Sequence, residues 1–172
     1  EGLRRGLEEC AVLSSVNDAA AWIERVTDEN FPEAQQIVDW FHATEYVWPV
    51  AHEVFGQGSP EAEDWVEGEL SKLWRGEVSQ VVKDIGRVGA GETTRQAQGY
   101  FTSQAERMHY DRYRAAGYPV GSGTVESGNR NYIQHRMKRP GRGWNRNTGQ
   151  AMLAALSELH SDRLELIWQG CA

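Results

Sequence analysis

Two carboxylates and one basic stretch carry most of the chemistry this sequence offers. Asp18 closes a short apolar run, AVLSSVN (11–17), that reads as a buried strand. A carboxylate at a strand end can hold a hard divalent cation, because the strand fixes the ligand while its end opens on solvent. The same aspartate can equally cap the helix that follows, and local spacing favours that use. Glu126 follows Gly121-Ser122-Gly123 in the first turn of an expected helix, where free N–H groups and the helix dipole favour negative charge. The glycines leave room for a backbone, a metal or a phosphate to approach. As an ordinary first-turn residue, Glu126 would pair with Arg130 four positions on.

A third constellation is Asp39-Trp-Phe-His42. Three residues apart, the two side chains can hydrogen-bond each other or bind a metal, and a structural pair at a strand end is the simpler reading. No cysteine stands near, so zinc spacing is absent. His52, His109, His135 and His160 show no ligand spacing and receive no function. The fourth is NRNYIQHRMKRPGRGWNRN (129–147). Arg130, Arg136, Lys138, Arg139, Arg142 and Arg146 offer phosphate contacts, and Trp144 among them offers a stacking surface. The bland alternative is a solvated basic helix end with Trp144 closing the core.

Charge sorts the chain in the same way. The whole carries −7, but residues 121–172 hold seven Lys/Arg against four Asp/Glu, a net of +3, so residues 1–120 carry −10. A local basic surface on an acidic body is the electrostatic footprint expected of a nucleic-acid protein. Cys10 and Cys171 lie near opposite ends and form neither a disulfide framework nor a metal spacing. No apolar run is long enough to cross a membrane and the first residues lack a signal-peptide core, so a cytoplasmic protein with no membrane partner is expected. The chain starts without Met in a helical pattern, as an excerpt of a longer protein would.

These residues need elements to position them. The pattern predicts the end of a helix over 1–9, a strand over 11–17, a helix from Ala20 with Asp18 able to cap it, and a second strand over 35–41 after Pro32. Strand, helix and strand over that length fit a parallel βαβ unit. Helical periodicity then returns over 40–55, 61–75, 77–88 and 92–115, broken by Gly56–Pro60, Gly76 and the Gly-rich 88–92. A loop over 117–123, with Ser122 or Thr124 placed as a cap, leads to helices over 124–138 and 147–166. The fold class is mainly α with a small parallel β element.

In order along the chain, VNDAAAWI (16–23), NFPEAQQIVDWFHATEYVW (30–48) and GYPVGSGTVESGNRNYIQHRMKRPGRGW (117–144) resemble three motifs of one family. That family is the DDE transposases of bacterial insertion sequences, on the branch akin to Mutator-like elements and closest to the Kra-type. Its motifs are a strand-ending Asp-Gly-Ala-x-Trp-Ile, a Phe-Pro-x-Ala strand followed by Asp-x-x-His, and Gly-x-Pro-Ile-Gly-Ser-Gly-x-Val-Glu-Ser with a downstream Arg-Met-Lys and Gly-x-x-Trp. The resemblance covers nearly the whole chain. It implies a partial RNase H-like fold with a large helical insertion: core residues 1–39, insertion 40–116, and C-terminal helices 117–172 completing the core. It further implies that Asp18 is the second catalytic aspartate and Glu126 the catalytic glutamate, both metal ligands, with Asp39 and His42 as the family's Asp-x-x-His motif.

The cofactor implied is Mg2+ or Mn2+, two ions about 4 Å apart between three carboxylates. The partners are DNA, as transposon ends and target, with a possible homo-oligomer of the parent protein. Because the first aspartate of the family lies on an upstream strand, this fragment alone is expected to be inactive. Ala19 stands where the family has Gly, Arg142 where it often has Met, and Leu156-Ser157 where Leu-Arg is usual. A reading from a different class is a non-catalytic helical module that binds DNA or protein, with Asp18 and Glu126 as capping groups.

Overall fold

Two short strands, β1 (Ser14–Asn17) and β2 (Gln35–Val38), run from exposed or half-buried polar residues to buried ends at Asn17 and at Ile37 and Val38. They pair in parallel with Ser14 opposite Gln35 and Asn17 opposite Val38. The crossover between them is α1 (Ala21–Asn30), so the parallel βαβ unit expected from the sequence is present. The computed structural model describes residues 6–141, 143–161 and 163. The chain is mainly helical with this one small parallel sheet.

The chain divides into two compact units, Glu1–Ser122 and Gly123–Ala172. In the first, β2 leads into α2 (Trp40–Thr44), α3 (Val47–Phe55), α4 (Pro60–Trp74), α5 (Val78–Val88), α6 (Glu92–Gln104) and α7 (Tyr110–Ala115). Their starts are written locally. Ser59 accepts the Ala62 N–H at 3.1 Å and Pro60 occupies the first turn of α4, where its missing N–H costs nothing. α4 ends before Gly76, whose φ of 76° is left-handed and where a Cβ would collide with the Asp111 carboxylate. Val78, Val81 and Ile85 recur on one face of α5 and are buried. With Val50, Leu73, Phe101 and Tyr110 they make the centre of the core, against which the fully buried Val38 of β2 packs.

Several boundaries differ from the sequence expectation. The first strand begins at Ser14, not Ala11, and residues Leu7–Glu9 form a 3-10 turn. The second stops at Val38, not Phe41, because Asp39 caps a helix that already includes Trp40 and Phe41. The helix expected over 40–55 is two, α2 and α3. Pro49 has no N–H and its ring would meet the carbonyl of Glu45, so the helix restarts with Pro49 in its first turn. The helix expected over 92–115 breaks at a 3-10 turn, Ala105–Arg107.

The second unit is helical from Gly123 to Met137: α8 (Gly123–Gly128), a π-helical segment (Asn129–Gln134) and α9 (His135–Met137). After a break comes α10 (Arg146–Leu159), capped by Asn145, which accepts the Thr148 N–H at 2.8 Å. The last turns expected out to residue 166 fall partly outside the described residues. No helix of the described residues is long and apolar enough to cross a membrane.

Candidate functional site

Parallel pairing sets Asp18 and Asp39 side by side, each one residue beyond its strand. The Asp39 N–H donates to the Asn17 carbonyl at 2.7 Å, extending the ladder by one step. Neighbouring strands lie about 4.8 Å apart, so the two carboxylates leave the same edge of the sheet. In open parallel sheets that edge, beyond the carboxyl ends of the strands, is where ligands bind.

The two aspartates are held differently. Asp18 is exposed, and its Oδ1 accepts the Ala20 N–H at 3.0 Å. Ala20, not Asp18, is the residue before α1, so the expected capping of that helix by Asp18 is replaced by a turn of three residues. Asn17 supports the turn: its Oδ1 accepts the Ala19 N–H at 2.9 Å while its Nδ2 donates to Ser15 Oγ at 3.1 Å. Between them Ala19 adopts φ 65°, the one left-handed non-glycine residue among those described.

Asp39 is buried. Its Oδ1 accepts the His42 N–H at 3.0 Å, capping α2, and its Oδ2 accepts the Ser122 N–H. Burial alone would push its pKa up. Hydrogen bonds from the Ser122 side chain and from the backbones of His42, Ser122 and Phe41 outweigh burial and hold the carboxyl below its usual value. Asp39 and His42 are therefore linked through backbone and not as a side-chain pair. The His42 imidazole turns to Glu45, with Nδ1 3.2 Å from Oε2, and sits edge-on to Tyr46 and Tyr100.

Sequence reasoning missed three residues here: Tyr46, Tyr100 and Arg107. Tyr100 of α6 stacks on Tyr46 with centroids 3.7 Å apart, and its buried hydroxyl has no hydrogen-bond partner among the described residues. Burial, then the neighbouring Tyr46, pushes the pKa of this hydroxyl up, and the charges of Asp18 and Asp39 act in the same direction. Arg107, nearly buried, donates from Nη1 to Gln36 Oε1 at 3.1 Å and approaches Glu24 at 3.4 Å, binding β2 to α1. Tyr100 and Arg107 come several helices after the strands they serve, with no local pattern to mark them.

The loop at 118–122 docks on the same corner. The Trp40 N–H donates to the Val120 carbonyl at 2.8 Å, and a Cβ at Gly121 would meet the Phe41 ring at 3.3 Å, so glycine there permits the close approach.

Glu126 belongs to the second unit, as Asp18 belongs to the first. It is exposed on α8 and lines a polar depression of about 300 Å³ with Gly123, Ser127, Arg130 and Asn131. The π-helical segment begins three residues later, a geometry frequent at functional sites. Arg130, Arg136, Lys138, Arg139 and Arg146 are exposed, and Arg139 Nε donates to the His135 carbonyl at 3.0 Å. Trp144 is half-buried, and its indole N–H donates to the Met137 carbonyl at 3.1 Å, tying the basic break to the helix before it. Arg142 lies outside the described residues.

Among the described residues no group of three or more His, Cys, Asp or Glu side chains comes together to hold a metal ion. Asp18 has the chemistry of a Mg2+ ligand, an exposed carboxylate with one oxygen outside any hydrogen bond to a described residue. Asp39 does not, since backbone donors occupy both its oxygens. Comparison with family models, with curated proteins and with solved structures found no match.

Proposed function

We propose that the chain is part of a DDE-type transposase, a partial RNase H-like catalytic domain whose parent cleaves and joins DNA. The observation that carries this reading is the bond between Asp39 and Ser122. Asp39 belongs to the Asp-x-x-His segment and Ser122 to the Gly-Ser-Gly segment that precedes Glu126, so two motifs of the resemblance meet next to β2, whose parallel partner β1 ends one residue before Asp18. Support also comes from Ala19. The resembling family carries glycine at that position, and the backbone there adopts φ 65°, a conformation glycine favours. On α1, Trp22 and Val26 stand one turn apart and are exposed, at 62% and 47%, an apolar surface suited to cover by further parts of a larger core.

In this reading Asp18 and Glu126 would each supply a carboxylate ligand to Mg2+ or Mn2+, which would lower the pKa of a water and neutralise charge on a phosphodiester. The chain itself contributes the rest. The turn at Asn17–Ala20 orients the Asp18 carboxylate, Asp39 anchors the loop leading to α8, and Arg136, Lys138 and Arg139 neutralise backbone phosphates.

The test is Mn2+ titration followed by NMR, with a fluorescence-labelled DNA duplex as a second readout. Paramagnetic broadening centred on Asp18 and on Glu126, lost in Asp18→Ala or Glu126→Ala at unchanged fold, is expected. Broadening at neither carboxylate would overturn the catalytic reading. A second reading, a non-catalytic DNA-binding or protein-interaction module, is favoured by the backbone bonds that both aspartates accept. It requires DNA binding that is indifferent to Mn2+ and to both carboxylate substitutions.

A further inference from the structure

The basic segment of the second unit, residues 129–147, contains six Lys/Arg and no Asp/Glu, so any ligand it holds should be anionic. It also contains two aromatic rings, and they are placed differently. Trp144 is half-buried, with its indole N–H engaged by the Met137 carbonyl at 3.1 Å. Tyr132 keeps 48% of its surface exposed and stacks on the imidazole of His160, at the end of α10, with ring centroids 3.9 Å apart. Beside this pair runs a groove of about 460 Å³, with Leu156 and Leu159 of α10 along one side and Asn131 and Arg136 along the other. Asn131 also lines the depression that holds Glu126 and Arg130, so groove and depression adjoin. The Asn131 amide donates to Ser127 Oγ at 3.1 Å, which fixes the residue at that junction.

We propose that Tyr132, backed by His160, is the stacking surface for an unpaired base of single-stranded DNA whose backbone follows Arg130 and Arg136. This deepens the reading given above and rests on it, since both require DNA. A nucleotide joins a flat aromatic face to an anionic phosphate, and the second unit offers a partner for each: a half-exposed ring with an aliphatic wall beside it, and exposed guanidinium groups next to that ring. An apolar peptide would match the wall and leave the surrounding positive charge unanswered. His160 prepares the site, because a tyrosine already stacked on one side has less rotamer freedom to lose when a base covers the rest. A paired base has both faces covered by its duplex neighbours, so the surface selects a single strand, or a base turned out of the helix. Because the groove adjoins the depression at Glu126, the stacked base belongs to a nucleotide near the phosphate held there.

The test is fluorescence anisotropy on the full chain with a labelled oligothymidylate, an abasic strand of the same length and charge, and a duplex. Oligothymidylate should bind at least about fivefold more tightly than the abasic strand, the lower end expected for one base stacked on an aromatic ring. Tyr132→Leu should erase that preference while leaving the salt dependence of both strands unchanged, and Tyr132→Phe should keep it. His160→Ala, at the exposed end of α10, should narrow it. Equal binding of the two single strands by the parent chain, or a preference that survives Tyr132→Leu, would overturn the proposal. Binding of the duplex with neither single strand would overturn it as well and leave the DNA reading standing, whereas binding of no DNA at all would remove both.

Discussion

Asp39 and Ser122, 83 residues apart, are joined by a direct hydrogen bond from the Ser122 backbone N–H to Asp39 Oδ2. The same carboxylate caps α2 through its other oxygen. One buried side chain therefore fixes the end of β2, the start of α2 and the loop that leads to α8.

Removing it should be costly. Asp39→Ala loses a cap and leaves the Ser122 N–H without its acceptor, together worth about 3 kcal/mol. Urea denaturation would measure the loss, and faster hydrogen exchange at the Ser122 and His42 amides would locate it. A variant as stable as the parent would show that the loop is held by other means.

Acid should reveal the same residue. The folded carboxyl is held below its ordinary value of 3.8, so its stabilisation is present above that value and disappears as pH falls through the lower, folded one. Asp39→Asn should accordingly be less stable than the parent at pH 7, with the gap narrowing below about pH 4. A gap independent of pH would exclude the carboxylate charge as its source.

Ala19 is strained. A left-handed alanine costs about 1–2 kcal/mol, partly offset in any glycine replacement by the added freedom of the unfolded chain. Ala19→Gly should raise stability by on the order of 0.5 kcal/mol. Thermal unfolding would decide this, and a lower midpoint would mean the turn is relaxed as it stands.

Lys72 lies between two carboxylates, 2.8 Å from Asp84 and 2.6 Å from the buried Glu69, whose second oxygen has no partner among the described residues. Burial drives the Glu69 carboxyl above its usual range, while Asp84, through its bond to Lys72, falls below its own. Lys72→Met strands Glu69 and should cost about 3 kcal/mol at pH 7. Glu69→Gln should be tolerated, because a carboxyl with a raised folded pKa contributes stability only when protonated and loses it as pH rises. Comparing the two variants by denaturation at pH 5 and pH 7 tests both halves.

For DNA, replacing Arg136, Lys138 and Arg139 together with alanine should reduce the slope of log affinity against log salt by about 0.9 for every phosphate no longer neutralised. Fluorescence anisotropy at several salt concentrations would give the slope. An unaltered slope would remove these side chains from any DNA surface.

The βαβ unit was legible because its signals are local: an apolar run, a helical period and a second apolar run within forty residues. So were the breaks at Gly56–Pro60 and Gly76, which depend on neighbours a few positions away, whereas the caps at Ser59 and Asn145 came only with the structure. Asp18 was found as a strand-end carboxylate, and its environment was misjudged, because an aspartate before a helix can cap it or can bend into a turn, and Asn17 decided the matter. Where β2 stops was also misjudged, since Trp40 and Phe41 suit a strand as well as a helix until Asp39 takes the His42 N–H.

By itself, then, the sequence determined the order and type of most elements, since backbone preference and amphipathic period are properties of short segments. Only the tertiary structure decided that Asp39 faces Ser122, that Tyr100 stacks on Tyr46, that Arg107 ties β2 to α1, and that Trp40, Trp48 and Trp74 share one groove. Each of those pairings depends on how separate helices pack, and meetings between side chains far apart in the chain leave no periodic mark on it.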